Sequence, residues 1–332
     1  MLAALMLVLL AGGMNGSFAT PMKRVRGWEW EHIWLVWSFL GMVVIPLVVA
    51  AITIPHLDAV YHAAGAKPLV LTALYGMVWG ASAVLFGLGI TRVGLALGFG
   101  IILGTSSSLG AVLPLLTLHR DRLFTTTGLL ALAAVGTILA GVAGCARAGV
   151  LREAVMQRRN AGFFAAGVAI CVLSGLGSAI MSLALNEALP IYGAAEALGV
   201  ASSRSLNAVW PVLLGSGFSV NATYCAFLLV RHGNASRFRD AAAANFGLVL
   251  AMAVLWSGSN FAYGAGARDL GPLGLVLGWP VFMATIVLTA NAWGLLTGEW
   301  RGAGRRTATW AVAGILLLVA GIALIAWAGN GA

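Results

Sequence analysis

The sequence predicts an all-α membrane protein of ten transmembrane helices, built as two inverted five-helix repeats. Three observations carry this prediction. Hydrophobic residues make up 61% of the 332-residue chain and charged residues 9%, against roughly 45–50% and about 25% in soluble domains. Ten stretches are each long enough to supply the about 20 apolar residues that crossing a bilayer needs. One motif also occurs twice, at 79–94 (WGASAVLFGLGITRVG) and at 256–271 (WSGSNFAYGAGARDLG).

The ten spans are 2–19, 33–54, 69–90, 94–117, 126–145, 162–185, 206–230, 244–264, 270–293 and 309–328. The first has no Lys or Arg in front of it and carries Gly12, Gly13, Asn15 and Gly16 in its middle. A signal peptide wants a basic start, so this span reads as a retained helix that packs closely through its glycines. The second, seventh and ninth contain Pro46, Pro211 and Pro280, which are expected to kink them. The third and eighth carry the repeated motif. Each copy opens with Trp79 or Trp256 and continues to an aromatic residue followed by Gly, Phe86 with Gly87 or Tyr263 with Gly264. Gly89 or Gly266 follows, and Arg92 with Gly94 or Arg268 with Gly271 closes it. The sixth span repeats the first, with Leu173, Ser174 and Gly175 echoing Leu10, Ala11 and Gly12. The chain therefore divides into a first repeat at 1–150, a cytoplasmic connecting loop at 151–161 and a second repeat at 162–332. Gly-xxx-Gly pairs at Gly12/Gly16, Gly76/Gly80, Gly94/Gly98, Gly100/Gly104 and Gly274/Gly278 predict close helix–helix approach.

Net charge is +9, but the basic residues lie in short loops between apolar spans, which argues for membrane orientation and against nucleic acid. Loops that alternate along the chain hold fourteen Lys and Arg on one side and five on the other. The positive-inside rule then places both termini outside. An odd number of spans per half gives the second half the opposite sense. Inverted halves of this kind are expected of a transporter that alternates between two openings.

Polar side chains within the spans are expensive in hydrocarbon and mark cavities or helix contacts. The candidates for a substrate pocket are Asn15, Trp79, Ser82, Asn186, Asn221, Trp256, Asn260 and Tyr263. Amides offer both donor and acceptor to hydroxyls, and indole faces stack on the apolar face of a sugar ring. A pocket of this chemistry suits a small neutral polyhydroxylated ligand, not a polyanion or a lipophilic cation. For each Asn alone, an interhelical hydrogen bond is the plain alternative. Glu187, at the end of the sixth span, is the candidate proton carrier, on the ground that partial burial would suit it to the task, with a solvated helix-end carboxylate as the alternative; Glu196 reads as a loop residue. No metal site is expected, because the His residues map to loops or span ends without ligand spacing. The three cysteines, Cys145, Cys171 and Cys225, read as small core residues. No nucleophile–base pair or phosphate loop is present, so catalysis has no visible home.

Four stretches together resemble the bacterial L-rhamnose–proton symporter family: 18–30 (FATPMKRVRGWEW), 79–94, 186–199 (NEALPIYGAAEALG) and 299–307 (EWRGAGRRT). The resemblance runs nearly end to end. It implies a ten-helix branch of the drug/metabolite transporter superfamily that imports a neutral deoxysugar with H⁺, needs no cofactor beyond the coupling proton, and works in the lipid bilayer as a monomer or weak homodimer. A metabolite or amino-acid exporter on the same scaffold is the alternative. The chain departs from the family pattern at Ala81, Ser82 and Ala83, where a Gly-Asn pair is expected, and at Tyr192 and Gly193, where His-Glu is expected. Glu187 stands where a small residue is expected.

Overall fold

A backbone in hydrocarbon has no water to bond, so an apolar chain there closes its N–H and C=O groups along its own axis. The computed structural model describes residues 2–93, 98–99, 101–106, 109, 125–156, 161–271, 274–296 and 304–330, and among these it is helical without a strand. In order, the helices are α1 (Leu2–Ser17), α2 (Trp30–Phe39), α3 (Ile45–Thr53), α4 (Leu57–Ala64), α5 (Ala66–Val93), α6 (Thr126–Met156) and α7 (Ala161–Glu187). Then come α8 (Leu189–Ala197), α9 (Ser202–Ser205), α10 (Trp210–His232), α11 (Ala242–Asp269), α12 (Gly274–Leu296) and α13 (Arg305–Asn330). Seven stretches among the described residues are long and apolar enough to cross a membrane. The expected span 94–117 falls mostly outside the described residues; the part that is described, at 98–99, 101–106 and 109, is helical.

Of the three prolines expected to kink their spans, Pro280 lies within α12, which runs unbroken past it, and the other two behave differently from one another. Pro46 has no N–H to give the preceding turn, and its ring would crowd the Met42 carbonyl. The chain absorbs this with a π turn, Leu40–Val44, between α2 and α3. The Gly41 carbonyl there accepts a hydrogen bond from Ser257 Oγ of α11 at 2.7 Å. Pro211 does not kink a helix. It lies in the first turn of α10, where an absent N–H costs nothing. Helix α6 runs to Met156, so the expected connecting loop is helical over its first residues.

Packing follows the glycines. Helix α1 lies against α11 and α12, α7 against α5, α5 against α10, α2 against α10 and α11, and α6 against α13. A Cβ on Gly12 would come within 3.1 Å of the Phe282 carbonyl and 2.7 Å of Thr285 Cγ2. One on Gly175 would come within 2.8 Å of the Ile102 carbonyl and 2.5 Å of Thr105 Cβ. Both glycines therefore seat a helix against a carbonyl and the Thr three residues after it. Lipid offers helices no hydrophobic gain on association, so such backbone-close dispersion contacts hold the bundle. The three cysteines are buried and free. Tyr61 ties α4 to the turn before α10 by donating to the Ala208 carbonyl at 2.9 Å, and burial pushes its phenol up to about 12, so it remains a donor.

Candidate functional site

The repeated motif brings its two copies together. Trp79 of α5 and Trp256 of α11 stack with ring centroids 5.8 Å apart and planes 27° from parallel. Trp37 of α2 meets the edge of Trp256 at 5.1 Å, and Phe18 stacks on Trp37 at 5.5 Å. These rings form one side of a cavity. The rest of the wall includes Ala83 and Phe86 of α5, Ser178 and Met181 of α7, Asn260 of α11, and Trp279, Phe282, Met283 and Ile286 of α12. The helical segment at 101–106 adds Ile102, Leu103 and Ser106. The wall is thus mostly aromatic and aliphatic, with a few polar groups set into it.

Two of the expected asparagines lie on this wall. Asn15 donates from Nδ2 to Ser259 Oγ at 2.8 Å, and that hydroxyl donates to the Trp256 carbonyl at 2.6 Å. Asn260 donates from Nδ2 to the same carbonyl at 3.1 Å, which among the described residues leaves the rest of its amide unspent. With Trp79 and Trp256, four of the eight expected pocket residues line the cavity.

The other four stand elsewhere. Asn221 is fully buried between helices: its Oδ1 accepts from Trp34 Nε1 at 2.8 Å, and its Nδ2 donates to the carbonyls of Gly80 at 3.1 Å and Gly217 at 2.9 Å. The interhelical alternative holds for this residue, and its effect on the cavity passes through Trp34, which does line it. Ser82 Oγ bonds back to the Val78 carbonyl and is buried against α7, where Ser174 donates to the Ser82 carbonyl at 2.9 Å. Tyr263 lies behind the wall, packed on Phe282 at 4.9 Å and Trp279 at 5.6 Å. Asn186 is at the end of α7, off the cavity. Glu187 is exposed there, so the partial burial that recommended it as a proton carrier is absent.

Asn221→Ala is expected to act on stability. It leaves the Trp34 indole N–H unpaired in the interior, at ~1–3 kcal/mol, and removes the second hydrogen bond that the Gly80 carbonyl accepts. The melting temperature of the detergent-solubilised protein should fall by several degrees; an unchanged value would mean that these bonds contribute nothing.

Charged networks lie at the helix ends, away from the cavity. Glu31, at the start of α2, is buried with its Oε1 2.9 Å from His232 Nδ1 and accepting from Asn234 Nδ2 at 2.6 Å. Glu29 pairs with Arg237 nearby, and Asn245 Nδ2 donates to the Arg26 carbonyl at 2.7 Å. Elsewhere, Arg268 at the end of α11 pairs with Glu196 at 2.6 Å and lies 4.5 Å over the Tyr192 ring; Ser205 donates to the same Glu196 oxygen at 2.8 Å. Glu196 is a helical residue of α8, not a loop residue. Among the described residues no group of His, Cys, Asp and Glu could hold a metal ion.

The sequence reading missed Trp34, Trp37, Trp279 and Ser106. The spacing of Trp30, Trp34 and Trp37 marks one face of a helix, and that was the signal available for the first two.

A family model described as "L-rhamnose-proton symport protein (RhaT)" matches residues 1–329. The L-rhamnose-proton symporter of Cronobacter sakazakii is 32% identical over 307 residues, covering 90% of this chain and 89% of the relative. That of Escherichia coli O1:K1 is 28% identical over 320 residues, covering 94% and 93%. That of Citrobacter koseri is 29% identical over 307 residues, covering 90% and 89%.

Proposed function

The chain belongs to the L-rhamnose-proton symport protein family, and from that membership we propose that it imports L-rhamnose or a similar neutral deoxysugar together with H⁺. The observation that carries this beyond the family match is the cavity. Its stacked indole walls and inset amides and hydroxyls suit a ring with one apolar face and several hydroxyls. A symporter of this kind needs no cofactor and is not an enzyme.

The mechanism we propose is alternating access between two inverted five-helix repeats, 1–150 and 162–332, joined by 151–161. The packing supports it. If each helix of the first half corresponds to one five spans later, the contact of α1 with α11 answers that of α7 with α5. The contact of α5 with α10 likewise answers that of α11 with α2. The matched seats of Gly12 on Phe282 and Thr285, and of Gly175 on Ile102 and Thr105, obey the same relation. So do the paired Trp79 and Trp256. The ten-span topology and the fourteen-to-five split of basic residues support an inner-membrane protein with both termini periplasmic. In that orientation the Glu31–His232–Asn234 network closes the cytoplasmic end and Glu196–Arg268–Ser205 the periplasmic end.

The test is uptake by proteoliposomes holding the purified protein. An inward proton gradient should drive accumulation of labelled L-rhamnose, a protonophore should collapse it, and addition of rhamnose should alkalinise a weakly buffered medium. Rhamnose-independent pH traces together with absent uptake would overturn the reading.

A further inference from the structure

Trp37, Trp279 and Ser106 share a property that none of the expected pocket residues has. Each lines the cavity, each is at least nine-tenths buried, and each holds a buried polar atom without a hydrogen-bond partner among the described residues: Trp37 Nε1, Trp279 Nε1 and Ser106 Oγ. They come from three separate elements, α2, α12 and the helical segment at 101–106. A buried polar group left unpaired costs ~1–3 kcal/mol, so three on one cavity are unfavourable unless something that enters the cavity pairs with them.

Other buried indole N–H groups are unpaired as well, including that of Trp210. Trp210 is off the cavity wall, so no ligand there could satisfy it. It serves as an internal control: the same group, equally buried, with no route to a ligand.

We propose that the indole N–H groups of Trp37 and Trp279 and the hydroxyl of Ser106 are the hydrogen-bond partners of the transported sugar, and that they determine its specificity. This assignment rests on the transport reading given above. An indole N–H only donates, whereas a serine hydroxyl both donates and accepts. The ligand must therefore present two acceptor oxygens, placed apart as the two indoles are, and a third group toward Ser106. A hydroxyl oxygen meets this need because it accepts while donating elsewhere, to the unspent amide of Asn260 for instance. The remaining wall around Phe86, Met181 and Met283 is apolar and leaves a place for the methyl group of a deoxysugar, where a 6-hydroxyl would go unpaired. A site built to pair hydroxyls rejects analogues that lack them more strongly than a hydrophobic pocket rejects an added group.

The experiment uses the full-length protein in proteoliposomes and counterflow of labelled L-rhamnose. Trp37→Phe and Trp279→Phe keep an aromatic ring but remove the indole N–H and some volume, for which Trp210→Phe is the control, and Ser106→Ala removes the hydroxyl. Each should raise the half-saturation concentration by about three- to tenfold, while Trp210→Phe leaves it unchanged. Competition by mono-deoxy analogues of L-rhamnose gives a second reading on the wild-type protein alone. At least two analogues should compete about tenfold more weakly than L-rhamnose itself, and an analogue missing the oxygen that Trp37 serves should lose nothing further in Trp37→Phe. If a variant does not fold, the wild-type analogue series still decides: analogues that all compete equally well overturn the assignment. A wild type that transports rhamnose while the two Phe variants behave like Trp210→Phe overturns the assignment alone. A wild type with no rhamnose counterflow overturns the transport reading, and the assignment with it.

Discussion

Trp256→Ala is expected to remove most L-rhamnose uptake, because it takes away one face of the proposed sugar platform as well as the ~3–5 kcal/mol of stability that truncating a buried Trp typically costs. Trp256 is 6% exposed and serves two neighbours at once, stacking on Trp79 and receiving the edge of Trp37. Aromatic pairs of this kind contribute ~0.5–1.5 kcal/mol each beyond the area they bury. Removing the ring also frees Trp37, one of the proposed donors, so both the stacking surface and the donor position are lost together. Its backbone matters too, because the Trp256 carbonyl accepts from Ser259 and Asn260, and that part survives the substitution. Trp256→Phe, which restores a flat ring, should recover at least a tenth of the rate. Proteoliposome uptake, with size-exclusion profiles confirming folded protein, makes the measurement. A Trp256→Ala protein that transports at near wild-type rate would show that the stacked pair is packing and not a sugar platform.

The reach of the sequence differed from residue to residue. The helical membrane class was legible because hydrocarbon leaves the backbone one economical choice, and the length and polarity of each run report it. The meeting of Trp79 with Trp256 was legible because the motif occurs twice in the sequence, and a repeated motif in a membrane chain points to one shared site. Asn221 was misplaced for a physical reason. An Asn in an apolar run announces only that a partner exists, and a ligand hydroxyl and the indole of Trp34 satisfy it equally well. Glu187 stands exposed because position at a span end does not fix burial, whereas Glu31, with His232 and Asn234 around it, is a buried carboxylate among the described residues. The donors Trp37 and Trp279 were hidden among other tryptophans, since an unpaired N–H becomes visible only when every neighbour has been placed.

Gly80→Ala is expected to cost the protein most of its folded yield as well as its transport. The Gly76/Gly80 pair does not meet a second such pair. It meets the backbone of α10, and a Cβ on Gly80 would lie 2.6 Å from Gly217 Cα. A flexible side chain could swing away from that contact, but a helix backbone cannot, so α5 and α10 would have to part. Overpacking where side chains can adjust costs ~1–3 kcal/mol, occasionally more, and a backbone obstacle places this substitution at or above the upper figure. The separation also reaches the cavity. Asn221 of α10 donates to the Gly80 carbonyl at 3.1 Å and accepts from Trp34 at 2.8 Å, so moving α5 unseats the residue that holds Trp34 on the wall. Trp79, one residue before Gly80, would shift against Trp256. Gly13→Ala is the comparison, since a Cβ there meets nothing within 4 Å and alanine favours a helix over glycine by ~1 kcal/mol. Melting curves in detergent should therefore separate the two alanines in opposite directions, with Gly80→Ala well below wild type and Gly13→Ala at or slightly above it. Equal melting temperatures for Gly80→Ala and wild type would mean that α5 and α10 are not in backbone contact at this point, and the placement of Trp34 and Trp79 on one cavity would fall with that contact.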